Sequence, residues 1–207
     1  MPSPSLAELA AAPCNRVNSE IATVKGRAAL RLRPIPGLPL DQLIDKPSFA
    51  RLPLTLADGT VEVALLSRLL PDAPDFARGF AGLAFRIQPD LAFESVYLRP
   101  LNGAGLNPPA PRHLRAIQYF AYPDWDFQRL RDTHPDGTYE APADIRTDTW
   151  HHLRLTLSGR QVTAHVDGLQ VLQVTAKVPP LPGDIGLWVD VGTEAFFTDL
   201  RTTPTSP

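Results

Sequence analysis

The sequence predicts an all-β fold, a sandwich or jelly roll of short antiparallel strands. Three observations carry this. Apolar residues alternate with period two in several runs, most cleanly over 150–175 and 79–100. The chain holds 23 prolines, clustered at the breaks between those runs, which argues against long helices. About ten to twelve strand-like runs follow one another at turn-bounded spacing with no fixed repeat, which disfavours a propeller.

Taken in order, residues 1–20 read as an N-terminal arm, in which Leu6–Ala12 offers one or two helical turns stopped by Pro13. Residues 21–207 read as one domain, a natural size for an all-β unit. Ala28, Leu30 and Leu32 alternate as a first strand before Pro34, Pro36 and Pro39 end regular structure. Phe49–Leu56 is an edge strand interrupted by Pro53. Asp58-Gly59 turns the chain into a strand over Thr60–Leu66. Gly79–Pro100 is a strand pair broken at Gln88-Pro89-Asp90, with Ala81, Leu83, Phe85 and Ile87 on one face. Residues 100–114 and 122–139 are long excursions flanking a strand at Ala116–Ala121, and loops of that length are usually functional or mobile. A meander follows over 150–174 with turns at Ser158-Gly159 and Asp167-Gly168. Two strands, Gly186–Val191 and Ala195–Thr202, close the fold.

A formal charge of −2 gives no electrostatic case for nucleic acid or an anionic membrane. No run approaches the roughly 18 apolar residues a membrane helix needs. The N-terminus lacks a basic segment followed by an apolar one, so no signal peptide is expected. The lone Cys14 rules out an intramolecular disulfide and suits a reducing compartment, so a cytoplasmic location is expected. No Ser-His-Asp order, P-loop or dinucleotide fingerprint is present.

The segments ADGTVEVALL (57–66), GFAGLAFR (79–86), FESVYLRP (93–100), AIQYF (116–120), TWHHLRLTLSGRQVTAHVDGLQV (149–171) and GDIGLWVDVGTEAFFTDLR (183–201) resemble the concanavalin A-like lectin/glucanase superfamily. The resemblance is to its bacterial 3-keto-disaccharide hydrolase-like (DUF1080-like) and laminin-G-like branches. It implies a two-sheet antiparallel jelly roll whose concave sheet holds a sugar, and hence a carbohydrate-binding domain. A glycoside hydrolase-like enzyme acting on a modified sugar and a protein-interaction sandwich are the alternatives. The superfamily's glucanases carry paired acids on one strand. Here Glu94 has no second acid at that spacing, and a glucanase-type mechanism needs two carboxyls.

Alternation groups Arg86 with Gly82 and Ala84, as the floor of a cleft, where a guanidinium can grip sugar hydroxyls; a structural ion pair is the alternative. Glu94 can serve as a general base or a hydrogen-bond acceptor, or pair with Arg86 or Arg99. If there is catalysis, Glu94 and Arg86 are its candidates. Tyr97, Arg99 and Asn102 shape a rim leading into the proline-rich loop. Strict alternation sets Glu94 on the opposite face from Tyr97 and Arg99 unless the strand bulges. Gln118 and Tyr119 join them as an amide-plus-aromatic pair suited to carbohydrate. Trp125 lies in a loop, available either to stack on a ligand or to pin the loop. No cofactor is expected. Asp124 and Asp126 offer two oxygens toward Ca²⁺, short of the six that ion requires. His151 and His152 alternate faces and cannot share a metal unaided. Trp150 and Trp188 read as packing residues.

Overall fold

The structure, a computed structural model describing residues 4–205, is a sandwich of two seven-stranded antiparallel sheets. Sheet A is ordered β1 (Cys14–Asn15), β4 (Phe49–Leu56), β13 (Gly183–Val189), β6 (Ala81–Ile87), β7 (Phe93–Leu98), β8 (Ile117–Tyr122) and β9 (Glu140–Ala141). Sheet B is ordered β12 (Leu169–Thr175), β11 (Gln161–Val166), β10 (His151–Ser158), β5 (Gly59–Leu69), β14 (Thr193–Pro204), β3 (Arg27–Pro34) and β2 (Val17–Val24). Consecutive strands change sheets repeatedly, as in a jelly roll. The described part of the expected arm is built into the body. Helix α1 (Leu6–Ala10) is closed by a capping box between Ser5 and Glu8, buries Leu9, and leads directly into β1 and β2.

Register fixes which side chains face where. On sheet A, Leu83, Val96 and Tyr119 lie in one row across β6, β7 and β8, and this face looks toward sheet B. The Tyr119 hydroxyl, for example, accepts from the Lys177 amide just beyond β12. Leu153, Leu155, Val61 and Val63 meet it from the other sheet, all fully buried. The opposite face of sheet A carries a second row: Phe49, Trp188, Gly82, Tyr97, Gln118 and Glu140 are successive partners across six strands. Gly82 is essential to it. A Cβ there would run into the Val96 carbonyl and stand 2.5 Å from the Tyr97 Cα. Its absence lets Trp188 and Tyr97 meet with ring centroids 4.9 Å apart. Phe120 and Phe93 extend the patch through edge-to-face contacts.

These aromatics are buried although they face away from sheet B. The segment 39–48 lies over them, held by a bond from Trp188 Nε1 to the Lys46 carbonyl (2.9 Å). A bond from the Asp45 amide to Asp190 Oδ2 (3.0 Å) holds it as well. Helix α2 (Phe127–Thr133), capped by Asp126 through the Arg129 amide (2.8 Å), closes the same side. The loop and helix leave the face open at one end of the sheet, where β7 and β13 finish and β6 and β8 begin.

Candidate functional site

At that open end lies a cleft of about 360 Å³. Its walls are Ile44, Phe76, Phe80, Phe127 and Val191, and its polar groups come from Asp45, Asp190, Tyr97, Asn102 and five arginines: Arg78, Arg99, Arg112, Arg115 and Arg131. The arginines converge because each lies just outside a strand or in α2. Arg78 precedes β6, Arg99 follows β7, and Arg112 and Arg115 precede β8.

Arg99 is 5 % exposed and anchors the floor. It donates to Glu140 Oε1 (2.5 Å), to the Tyr97 hydroxyl (2.5 Å) and to Gln118 Oε1. Glu140 is the hub of the cationic cluster. Besides Arg99 it takes a two-pronged contact from Arg131 (2.6 and 3.0 Å) and an ion pair with Arg115 (3.2 Å). Burial alone would raise the Glu140 carboxyl, but Arg131 and Arg99 hold it below the usual range. One carboxylate thus faces three guanidiniums. Arg112 is tied to Asn102 Oδ1 and the Leu101 carbonyl (both 2.9 Å), and Arg78 to the carbonyls of Asp75 and Ala77 (both 2.6 Å). Burial and repulsion from Arg112 and Arg99 lower the Arg78 pKa.

Two acids complete the cleft. Asp45 Oδ2 accepts from the Phe127 amide (2.7 Å) and Asp190 Oδ1 from the Val191 amide (2.6 Å). Burial pushes Asp45 up to about 6, with Asp126 adding to the rise and Arg99 and Arg131 opposing it. Burial and the neighbouring Asp45 push Asp190 well above the carboxylate range. Three buried polar atoms here have no protein partner: Asp45 Oδ1, Arg99 Nε and Gln118 Nε2. Buried polar atoms are normally satisfied, so these three are open to water or to a ligand at the cleft.

Tyr97, Arg99, Gln118 and Asn102 are therefore brought together at the cleft or directly beneath it. Arg86 and Glu94 are not. The expected grouping of Arg86 with Gly82 and Ala84 is overturned by a β-bulge. Ile87 pairs with Asp184 while Ala84 pairs with Gly186, and Arg86 sits at φ 53°. The bulge turns its guanidinium onto Glu94 (2.9 Å) and the carbonyls of Ala57 and Gly159. Glu94 lies at the opposite end of β7 from Arg99, five residues and roughly 15 Å away. Tyr119 points into the sandwich and donates to Glu94 Oε2 (2.5 Å). Burial raises both Glu94 and Tyr119. A second, larger cavity of about 510 Å³ opens beside this pair. Every nitrogen of Arg86 and both Glu94 oxygens have partners within the chain, as an ion pair that ties the sheets together would. Trp125 lies between Lys177 (4.4 Å) and Arg129 (4.5 Å) and lines neither cavity. The Asp124 carbonyl and the Asp126 carboxylate serve Arg129 and α2. No cluster of three metal-ligating side chains occurs among the described residues. His151 is engaged by Asp167 Oδ2 (2.7 Å) and the Arg146 amide (3.0 Å).

Asp45, Asp190, Glu140, Phe80, Phe127 and the arginines other than Arg99 and Arg86 carry no motif in the sequence. Their only signal is position, at strand ends and in the two long excursions.

No protein-family model and no curated protein matches the sequence. Solved structures do. A carbohydrate-binding module from Bacillus subtilis, CBM66, is similar with a TM-score of 0.55 at 15 % identity, covering 90 % of this chain and 94 % of that one. A Bacillus subtilis protein with a galectin-like fold gives 0.54 at 13 % identity, over 89 % and 86 %. The cellulose-induced protein Cip1 gives 0.55 at 11 % identity, over 94 % and 90 %. The chain has the concanavalin A-like lectin/glucanase fold, an antiparallel jelly-roll sandwich.

Proposed function

We propose that the protein binds a saccharide in the cleft between Phe80, Phe127 and Arg99. One observation carries this reading: aromatic rings line the cleft alongside buried polar atoms that lack protein partners. Sugars present both an apolar C–H face and hydroxyl edges, and this combination serves both. The carbohydrate-binding module among the structural neighbours supports it. The centre of the aromatic face is covered by residues 39–48, so the ligand enters at the strand ends and engages a short stretch of sugar, one or two rings at this volume. A glycan array followed by calorimetric titration tests the reading. Binding that is lost in Phe80→Ala with an unchanged melting temperature supports it, and no binding to any glycan overturns it.

A second reading, hydrolysis, rests on Asp45 and Asp190. Two acids with raised pKa values at one cleft are a source of a general acid. Release of reducing sugar by the wild type and not by Asp190→Asn would establish it. Binding without any turnover would reject it.

A further inference from the structure

We infer that the saccharide carries an anionic group, a carboxylate or a sulfate, held by the arginines of the cleft. This rests on the saccharide reading above and specifies its ligand class.

The inference stands on a charge imbalance and on unused donors. Five guanidiniums line the cleft. Glu140 contacts three of them, Arg99, Arg115 and Arg131. Among the described residues, Arg78 and Arg112 have no carboxylate within ion-pair distance. The two remaining acids, Asp45 and Asp190, are bonded to backbone amides and to no arginine. Like charges gathered in a buried setting repel, and such an arrangement persists when a counter-charge joins it.

The donors are also available. Arg131 places Nε and one terminal nitrogen on Glu140, Arg115 places only Nε there, and Arg78 uses a single terminal nitrogen on carbonyls. Each keeps at least one N–H group without a partner among the described residues. Arg99 Nε, wholly buried, is an orphan of the same kind. A planar fork of donors matches the oxygens of a carboxylate or sulfate. The rings of Phe76, Phe80 and Phe127 beside them suit the sugar ring that would carry the group.

The test is a titration of the full chain with four probes at low and at moderate salt: a neutral glucan oligosaccharide, a galacturonate oligosaccharide, a sulfated oligosaccharide and sodium sulfate alone. The inference expects the galacturonate or the sulfated oligosaccharide to bind at least tenfold more tightly than the neutral one, with affinity falling several-fold as salt rises. Preference between those two identifies the group. Arg78→Gln and Arg115→Gln each weaken that binding about tenfold and reduce its dependence on salt, and unchanged affinity for the acidic oligosaccharide in both variants overturns the inference. Both residues are partly exposed, and a thermal melt confirms folding in each. Two variants at separate positions keep the test valid if one fails to fold. Tighter binding of the neutral oligosaccharide, insensitive to salt, overturns the anionic inference and leaves the saccharide reading standing. Binding of sulfate alone with no saccharide overturns both.

Discussion

Replacing Asp45 with asparagine should make the protein more stable near neutral pH and flatten its dependence on pH. Burial lifts Asp45 from 3.8 to about 6. The folded state therefore holds a proton that the unfolded state releases anywhere between those values. Between pH 3.8 and 6 the native state binds more protons, so stability falls as pH rises through that window and levels off above it. A difference of roughly two pH units amounts to about 3 kcal/mol in all, at about 1.4 kcal/mol per unit. Roughly 1–2 kcal/mol of this falls between pH 5 and pH 7.5. Asp190 and Glu94, both raised by burial, tilt the curve the same way. Glu140, held low by its arginines after burial is offset, titrates below its ordinary 4.5 and leaves this window untouched. His165, lowered mainly by burial, opposes the slope but is common to both proteins and cancels in the comparison. Asparagine keeps the acceptor for the Phe127 amide and removes the charge. Urea denaturation at pH 5 and pH 7.5, followed by the fluorescence of the buried Trp188, provides the assay. The wild type should lose stability between the two and the variant should lose less. A wild-type stability that rises across this range, or an identical slope in the variant, would refute the reasoning.

Further outcomes follow from the same geometry. Arg86→Met strands Glu94 in the sandwich and should cost about 3–5 kcal/mol, whereas Arg86→Met combined with Glu94→Leu should recover much of that loss in the same denaturation assay. Gly82→Ala drives a methyl into the Val96 carbonyl and the Tyr97 backbone, and should lower stability by several kcal/mol or yield insoluble protein. Trp125→Ala should leave ligand affinity within about twofold, because Trp125 lines neither cavity; a tenfold loss by calorimetry would place the site elsewhere. Affinity for an acidic oligosaccharide should rise from pH 7.5 to pH 5. Protonation of Asp45, raised by burial to about 6, removes negative charge beside Arg99 and Arg131 there, and falling affinity would count against it.

Much of the fold was legible in the sequence because strands write themselves in period two. The meander over 151–175 and the strand pair of 79–100 fall where alternation puts them. Alternation also separates Glu94 from Tyr97 and Arg99, and the structure keeps them on opposite faces of sheet A. It failed at Arg86, where one extra residue reverses the face and nothing in the local sequence marks it. The arm failed differently. Residues 14–24 hold too few alternating apolar positions to read as strands, and they gain their place by pairing at sheet edges. The cleft was half visible. Tyr97, Arg99, Asn102 and Gln118 lie on or beside strands, where the register could be read. Asp45, Arg112, Arg131 and Glu140 reach the same place through loops and a short helix. Their meeting depends on the path of segment 39–48 and of α2, which no spacing encodes.

The arginine side chains themselves give the most direct test. In ¹⁵N spectra, the Nε–H signals of Arg99, Arg115 and Arg131 should shift together on titration with a saccharide that the array selects, and the Arg86 signal should stay in place. A shift at Arg86, with the cleft arginines unmoved, would contradict the assignment of the site and move it to the far end of the sheet.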